Sequence, residues 1–214
     1  MKTLMGMPLF SGCPEESVRE VCRLAKARVR RYAVREVVFH ECLPAKDLFV
    51  VLSGRLVTSI CVLAQDQRHL LMSFHPGDVI GSTLVGTGLK TYPEMAEAAE
   101  ASDVLSLDVA VLRELILRPE YGRLLKNLLA ISGCRCMRAV RKLAVMSCYE
   151  TGDRILLQLR HHFEDTGNRV VHYKSNALAN YLGVNRTALY RSIAKLVKAG
   201  LIKASRGRLE LLAD

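Results

Sequence analysis

Along residues 175–212 the apolar positions change period, and the change predicts successive elements. Leu178, Ala179 and Leu182 recur at helical spacing, and so do Ala188, Leu189, Ile193, Leu196 and Val197 after a break at Gly183. Ser175-Asn176 stand where a cap for the first helix belongs, and Asn185 stands where the second would be capped. Gly183 between them suits a left-handed turn, which costs glycine least. The outer face of the second helix carries Arg186, Thr187, Tyr190, Arg191, Lys195 and Lys198. Gly200 then stops it, and Leu201–Lys203 and Leu209–Leu211 flank a turn at Ser205-Arg206-Gly207, predicting a hairpin with basic residues at its tip. Two helices joined by a tight glycine turn and followed by a basic hairpin predict a winged helix-turn-helix.

The other half of the chain has a different rhythm. Val18, Val21, Cys22 and Ala25 place an apolar stripe on a helix from Pro14 to about Lys26, with Pro14 at its first position and Glu15 and Glu16 in its first turn. Short apolar runs follow at 37–39, 48–52, 56–62 and 70–74, punctuated by Ser53-Gly54 and His75-Pro76-Gly77-Asp78. Evenly spaced strands without intervening helices predict a small antiparallel barrel or roll, able to enclose one small ligand. Between the two patterns, residues 119–147 contain no proline after Pro119 and predict one long helix. On it Leu125, Leu129, Ser132, Cys136, Val140 and Leu143 approach the spacing of a coiled-coil seam. Arg135, Arg138, Arg141 and Lys142 read as its solvated face.

Charge separates the halves. Residues 1–109 carry 12 Lys/Arg against 13 Asp/Glu, whereas residues 110–214 carry 19 against 8, so the net +10 belongs to the half with the helix-turn-helix. Arg186, Thr187, Tyr190 and Arg191 are therefore expected at DNA base edges, since the start of a recognition helix enters the major groove. Ser175, Asn185, Lys195, Lys203, Arg206 and Arg208 are expected on phosphates. No apolar run is long enough to span a membrane. The opening MKTLMGMPLFSGC fits a lipoprotein signal poorly, with one Lys, a proline inside a short apolar stretch and Phe10. Seven scattered cysteines imply reduced thiols in a cytoplasm rather than a disulfide framework. No metal site is expected, because the cysteines are too spread and Cys134 and Cys136 point apart on a helix. An enzyme would need convergent ligands or a nucleophile–base pair that the roll does not offer.

Four motifs then occur in register: MPLFSGCPEESV, DLFVVLSGRL, HPGDVIG, and the winged helix after a long helix. Together they resemble the cyclic-AMP receptor protein/FNR (CRP/FNR) superfamily over about 200 residues. The resemblance implies an α+β chain with a β-roll sensor at 1–117, a dimerisation helix and hinge at 118–148, and a winged-helix DNA-binding domain at 149–214. It implies a homodimeric transcription regulator that reads a palindromic operator in double-stranded DNA and contacts RNA polymerase, with no membrane association. Arg186 and Arg191 match the family's Arg positions in its recognition helix, while Thr187 replaces a frequent Glu.

In the cyclic-nucleotide members a Glu holds the ribose and an Arg the cyclic phosphate; here those positions read Ser82 and Tyr92-Pro93. A phosphate buried without an Arg is costly, and Glu94 and Glu97 nearby would add to the cost, which argues against cyclic AMP. The cysteine spacing argues against the family's iron–sulfur cluster. Haem ligation stays open through His40, His69, His75 or a cysteine. The effector pocket is expected at Gly81, Ser82, Leu84, Tyr92, Met95 and Leu128, an apolar lining with Ser82 and Tyr92 as polar handles, suited to an uncharged molecule or a flat cofactor. The alternative reading is a regulator of the same fold controlled by a thiol switch at Cys134, Cys136 or Cys148, or by haem.

Overall fold

A computed structural model describes residues 2–62 and 67–212. The chain divides into two compact units, Met1–Arg135 and Cys136–Asp214, so the segment expected as a dimerisation helix and hinge, 118–148, is shared between them.

The first unit opens with α1 (Lys2–Met5), a single tight turn at Pro8–Phe10, and α2 (Glu15–Leu24). Pro14 proves to be the residue before α2 rather than its first helical position, and Glu15 pairs with Arg19 one turn on. Val18 and Val21 turn the apolar side of α2 into the core. The strands are β1 (Arg28–Tyr32), β2 (Val37–Phe39), β3 (Asp47–Val51), β4 (Leu56–Val62), β5 (Gln67–Phe74) and β6 (Val79–Ile80). After the short α3 (Ser82–Gly86) come β7 (Met95–Ala98), β8 (Ser102–Asp108) and α4 (Val109–Leu115). They form two antiparallel sheets, ordered β1-β8-β3-β6 and β2-β7-β4-β5. Leu48, Val50, Leu105 and Leu107 from one sheet and Leu56, Phe74, Ala96 and Ala98 from the other fill a common interior. This is the expected roll. Its turns are tight: Gly54 is left-handed, and a Cβ there would lie 2.3 Å from the Ala101 carbonyl oxygen.

The long helix α5 (Gly122–Ser147) follows a tight turn at Pro119–Tyr121. Tyr121 of that turn, and Leu124 and Leu128 of the helix's first turns, belong to the roll's core. The Asn127 side chain donates to the carbonyls of Leu9 and Ser11, both at 2.9 Å, and the Tyr121 hydroxyl donates to Glu20 at 2.6 Å. These bonds tie the N-terminal segment to the helix.

The second unit holds the end of α5, then α6 (Thr151–Thr166), β9 (Val170–His172), α7 (Ser175–Leu182), α8 (Arg186–Lys198), β10 (Ile202–Ser205) and β11 (Arg208–Leu211). The wing is a three-stranded sheet, β10-β11-β9, one strand more than the expected hairpin. Val145, Ile155, Leu159, Leu182, Leu189 and Leu209 anchor a separate core. Among the described residues no helix is long and apolar enough to cross a membrane.

Candidate nucleic-acid interface and the roll interior

Asn185 caps α8 as expected, its side-chain oxygen accepting from the Ala188 amide at 2.8 Å. Leu189, Ile193 and Leu196 are buried beneath it, but Val197, expected on the same inner stripe, is 43% exposed. Arg186, Thr187, Tyr190 and Arg191 share one outer face of the first turns of α8, all exposed, with Lys195 further along. Ser175 is the first residue of α7 and makes no cap; Lys174 precedes the helix, and no side chain caps it. The expected capping by Ser175-Asn176 is thus corrected. The Ser175 hydroxyl instead pairs with the Tyr190 hydroxyl at 2.6 Å, joining the start of α7 to α8. That bond, with the nearby Arg186, pulls the Tyr190 phenol below its ordinary pKa.

An open cleft of about 470 Å³ lies beside this pair, lined by Tyr173, Ser175, Tyr190, Ile193 and the wing residues 204–207. Lys203 and Arg206 are exposed on the wing, whereas Arg208 is engaged by Glu210 at 3.1 Å. The fold therefore gathers Ser175, Tyr190 and Arg206 around this cleft, with Arg186 beside Tyr190.

The roll interior differs more from expectation. Gly81 is left-handed, and Leu84, Tyr92 and Leu128 are core residues, with Met95 also buried. Tyr92 is no free polar handle. Its hydroxyl donates to the Asp47 carbonyl and accepts from the Asp47 amide, both at 3.0 Å, and its ring stacks on Phe39 at 4.1 Å. Burial raises the phenol's pKa. Ser82 is bonded to Ser132 on α5, hydroxyl to hydroxyl at 3.1 Å. Glu94 does not burden the site with a lone charge: it is buried and paired with Arg135 of α5, whose guanidinium lies 5.5 Å from the Phe74 ring centroid. Among the described residues the buried Thr58 hydroxyl, on β4, has no hydrogen-bond partner.

The reading of Arg135, Arg138, Arg141 and Lys142 as a solvated face fails at three positions. Arg135 pairs with Glu94, Arg141 with Glu164 and Asp165, and Lys142 donates to the Tyr181 carbonyl; Arg138 is exposed. No local pattern signals these partners, which lie 23 to 41 residues away in the chain. On the seam, Leu129, Val140 and Leu143 are 65%, 50% and 66% exposed and Cys136 is exposed, as an unpaired contact stripe would be. Leu125 is half-buried and Ser132 faces Ser82 instead. Among the described residues no three His, Cys, Asp or Glu side chains converge on a metal position. His40 and His75 are exposed, and the side chain of His69 lies outside the described residues.

Two family descriptions match the chain: a cyclic nucleotide-binding domain over residues 29–118 and a Crp-like helix-turn-helix domain over residues 154–213. No curated protein matches it in sequence. Among solved structures it is similar to the c-di-GMP responsive global regulator CLP of Xanthomonas campestris, with a TM-score of 0.68 at 21% identity, covering 94% of this chain and 100% of that one. A CooA mutant from Carboxydothermus hydrogenoformans superposes with a TM-score of 0.71 at 16% identity, covering 88% of this chain and 85% of that one. The catabolite activator protein of Thermus thermophilus gives 0.55 at 23% identity, covering 96% and 93%.

Proposed function

The chain belongs to the CRP/FNR superfamily of transcription regulators, and from that premise we propose that it is a homodimeric, sequence-specific DNA-binding regulator rather than an enzyme. The observation that carries this reading is the exposed face of Arg186, Thr187 and Arg191 at the capped start of α8, flanked by the basic wing. Two-fold pairing along Leu129, Cys136, Val140 and Leu143 would set two recognition helices one turn of DNA apart, about 34 Å, and so demand a palindromic site. RNA polymerase is the partner such a regulator addresses once bound. Selection of bound duplexes from a random pool tests the proposal. A two-fold symmetric motif should be enriched, and recovery of unrelated sequences would overturn it.

The roll is the sensor in this reading, at Gly81, Ser82, Leu84, Tyr92, Met95 and Leu128. Its signal is proposed to be a small molecule other than a cyclic nucleotide. Among the described residues two guanidiniums lie near this site, and both are engaged: Glu94 already neutralises Arg135, and Arg113 donates to the carbonyls of Leu84 and Thr87, at 3.1 and 2.9 Å. Calorimetry with cyclic AMP and cyclic GMP should give no heat of binding; micromolar affinity for either would refute this part.

A further inference from the structure

An α-helix leaves four carbonyls without intrahelical donors at its C-terminal end. At the end of α7 all four are accounted for. The Val184 amide donates to Ala179 at 3.0 Å and the Gly183 amide to Asn180 at 3.2 Å, closing the turn with Gly183 left-handed. The other two are taken by cations from outside the motif. Lys142 of α5 donates to the Tyr181 carbonyl, and Arg154 of α6 donates to the Leu182 carbonyl at 2.9 Å. Positive charge at a helix C-terminus also meets the negative end of its dipole.

Each cation is itself held. The Lys142 ammonium lies 3.6 Å from the Tyr181 ring centroid, and the Arg154 Nε donates to the Cys148 carbonyl at 2.9 Å, just beyond the end of α5. The Met146 methyl occupies the space beside Gly183, 2.7 Å from where a Cβ would stand. The turn between α7 and α8 is therefore fastened to the corner where α5 passes into α6.

We infer that Lys142 and Arg154 are positioning residues for DNA reading, fixing the angle of α8 by clamping the end of α7 to the last turns of α5 and the start of α6. This rests on the DNA-reading role proposed above. Neither side chain need touch DNA. The clamp is the place where a change in the last turns of α5 becomes a change in the set of the recognition helix, because the turn it grips leads directly into the Asn185 cap.

The test uses the full chain with Lys142→Met, which keeps an apolar stem on Tyr181 but removes charge and donor, and Lys142→Arg, which keeps both. Affinity is measured on a selected duplex and on random duplex at one salt concentration, and amide exchange is followed without DNA. Lys142→Met should lose about tenfold on the selected duplex and change less than about twofold on random DNA, with Lys142→Arg restoring the difference. Equal losses on both duplexes would mean that Lys142 acts only as a charge, and would overturn the proposal. So would a Lys142→Arg variant as impaired as Lys142→Met. Without DNA, the Gly183 and Val184 amides should exchange about tenfold faster in Lys142→Met. Unchanged exchange would refute the clamp even if no selected duplex existed, whereas faster exchange with no selectable site would fault the DNA-reading role alone.

Discussion

Glu94, just before β7, and Arg135 of α5 form an ion pair inside the first unit, their side chains only 6% and 15% exposed, beside the ring of Phe74. Three residues earlier on the same helix, Ser132 bonds Ser82. One face of α5 is thereby joined to the roll by two polar links one helical turn apart. A buried pair of this kind adds little net stability, but an orphaned member is expensive. Glu94→Gln or Arg135→Met alone should destabilise the protein by about 3–5 kcal/mol, and the double variant should recover much of the loss. Chemical unfolding of the four proteins checks the cycle; additive losses would show that the two groups do not depend on each other.

Reading of DNA bases predicts a selective defect. Arg186→Ala should cost about 1–3 kcal/mol on the selected duplex while hardly changing affinity for random DNA. Titrations of both duplexes at one salt concentration decide it, since equal losses would move Arg186 to the phosphate contacts.

Much of the second unit was legible because its signals are local. The Asn185 cap, the Gly183 turn and the stripe of Leu189, Ile193 and Leu196 each lie within a few residues of what they specify. In the roll, β2 and β4 carry apolar runs and matched expectation to the residue. By contrast β1, RVRRY, hides in a charged stretch, because an edge strand exposes both faces at Arg28–Arg31 and shows no alternation. The strand β9 is too short to announce itself, and it exists because β11 pairs with it through Leu209 and Val171. Residues whose roles depend on distant partners were illegible for the same reason: Tyr92 as a bridge to Asp47, Arg135 as the partner of Glu94, Lys142 as a donor to α7. Polar side chains announce their type in sequence, but not which distant group will claim them.

The wing and the flank of α8 predict a salt effect. Replacing Lys195, Lys203 or Arg206 by Gln should each reduce the slope of log affinity against log salt by about 0.9. Arg208, already paired with Glu210, should change it less. An unchanged slope for Lys203 and Arg206 would make the wing a solvated hairpin.

The exposed stripe on α5 predicts the state of assembly. Leu129 and Leu143, at 65% and 66% exposure, are better probes of the seam than the half-buried Leu125. Asp at both should yield folded monomers that retain random-DNA binding and lose the palindrome. Sedimentation at micromolar concentration checks this, and a monomeric wild type would end the seam reading.

Lys142 predicts a pH dependence of opposite sign to that of a favourable ion pair. Burial, reinforced by Arg154, lowers its pKa from 10.5 to about 8. The titratable and charged groups it meets on the packed elements are Arg154 on α6 and Tyr181 on α7, the latter a phenol whose own pKa is raised by burial. Between pH 8 and 10.5 the unfolded chain would hold this proton more readily than the folded one. The group's contribution to stability therefore grows as pH rises through that window and is lost as pH falls through 8. At neutral pH the ammonium is kept charged against its surroundings, which fits a residue placed for position rather than for stability. Lys142→Met removes the titration, so relative to wild type its melting temperature should fall between about pH 7.5 and 9.5. Scanning calorimetry of the two proteins across that range measures the difference, and a wild-type-to-variant gap that does not vary with pH would show that Lys142 does not titrate there.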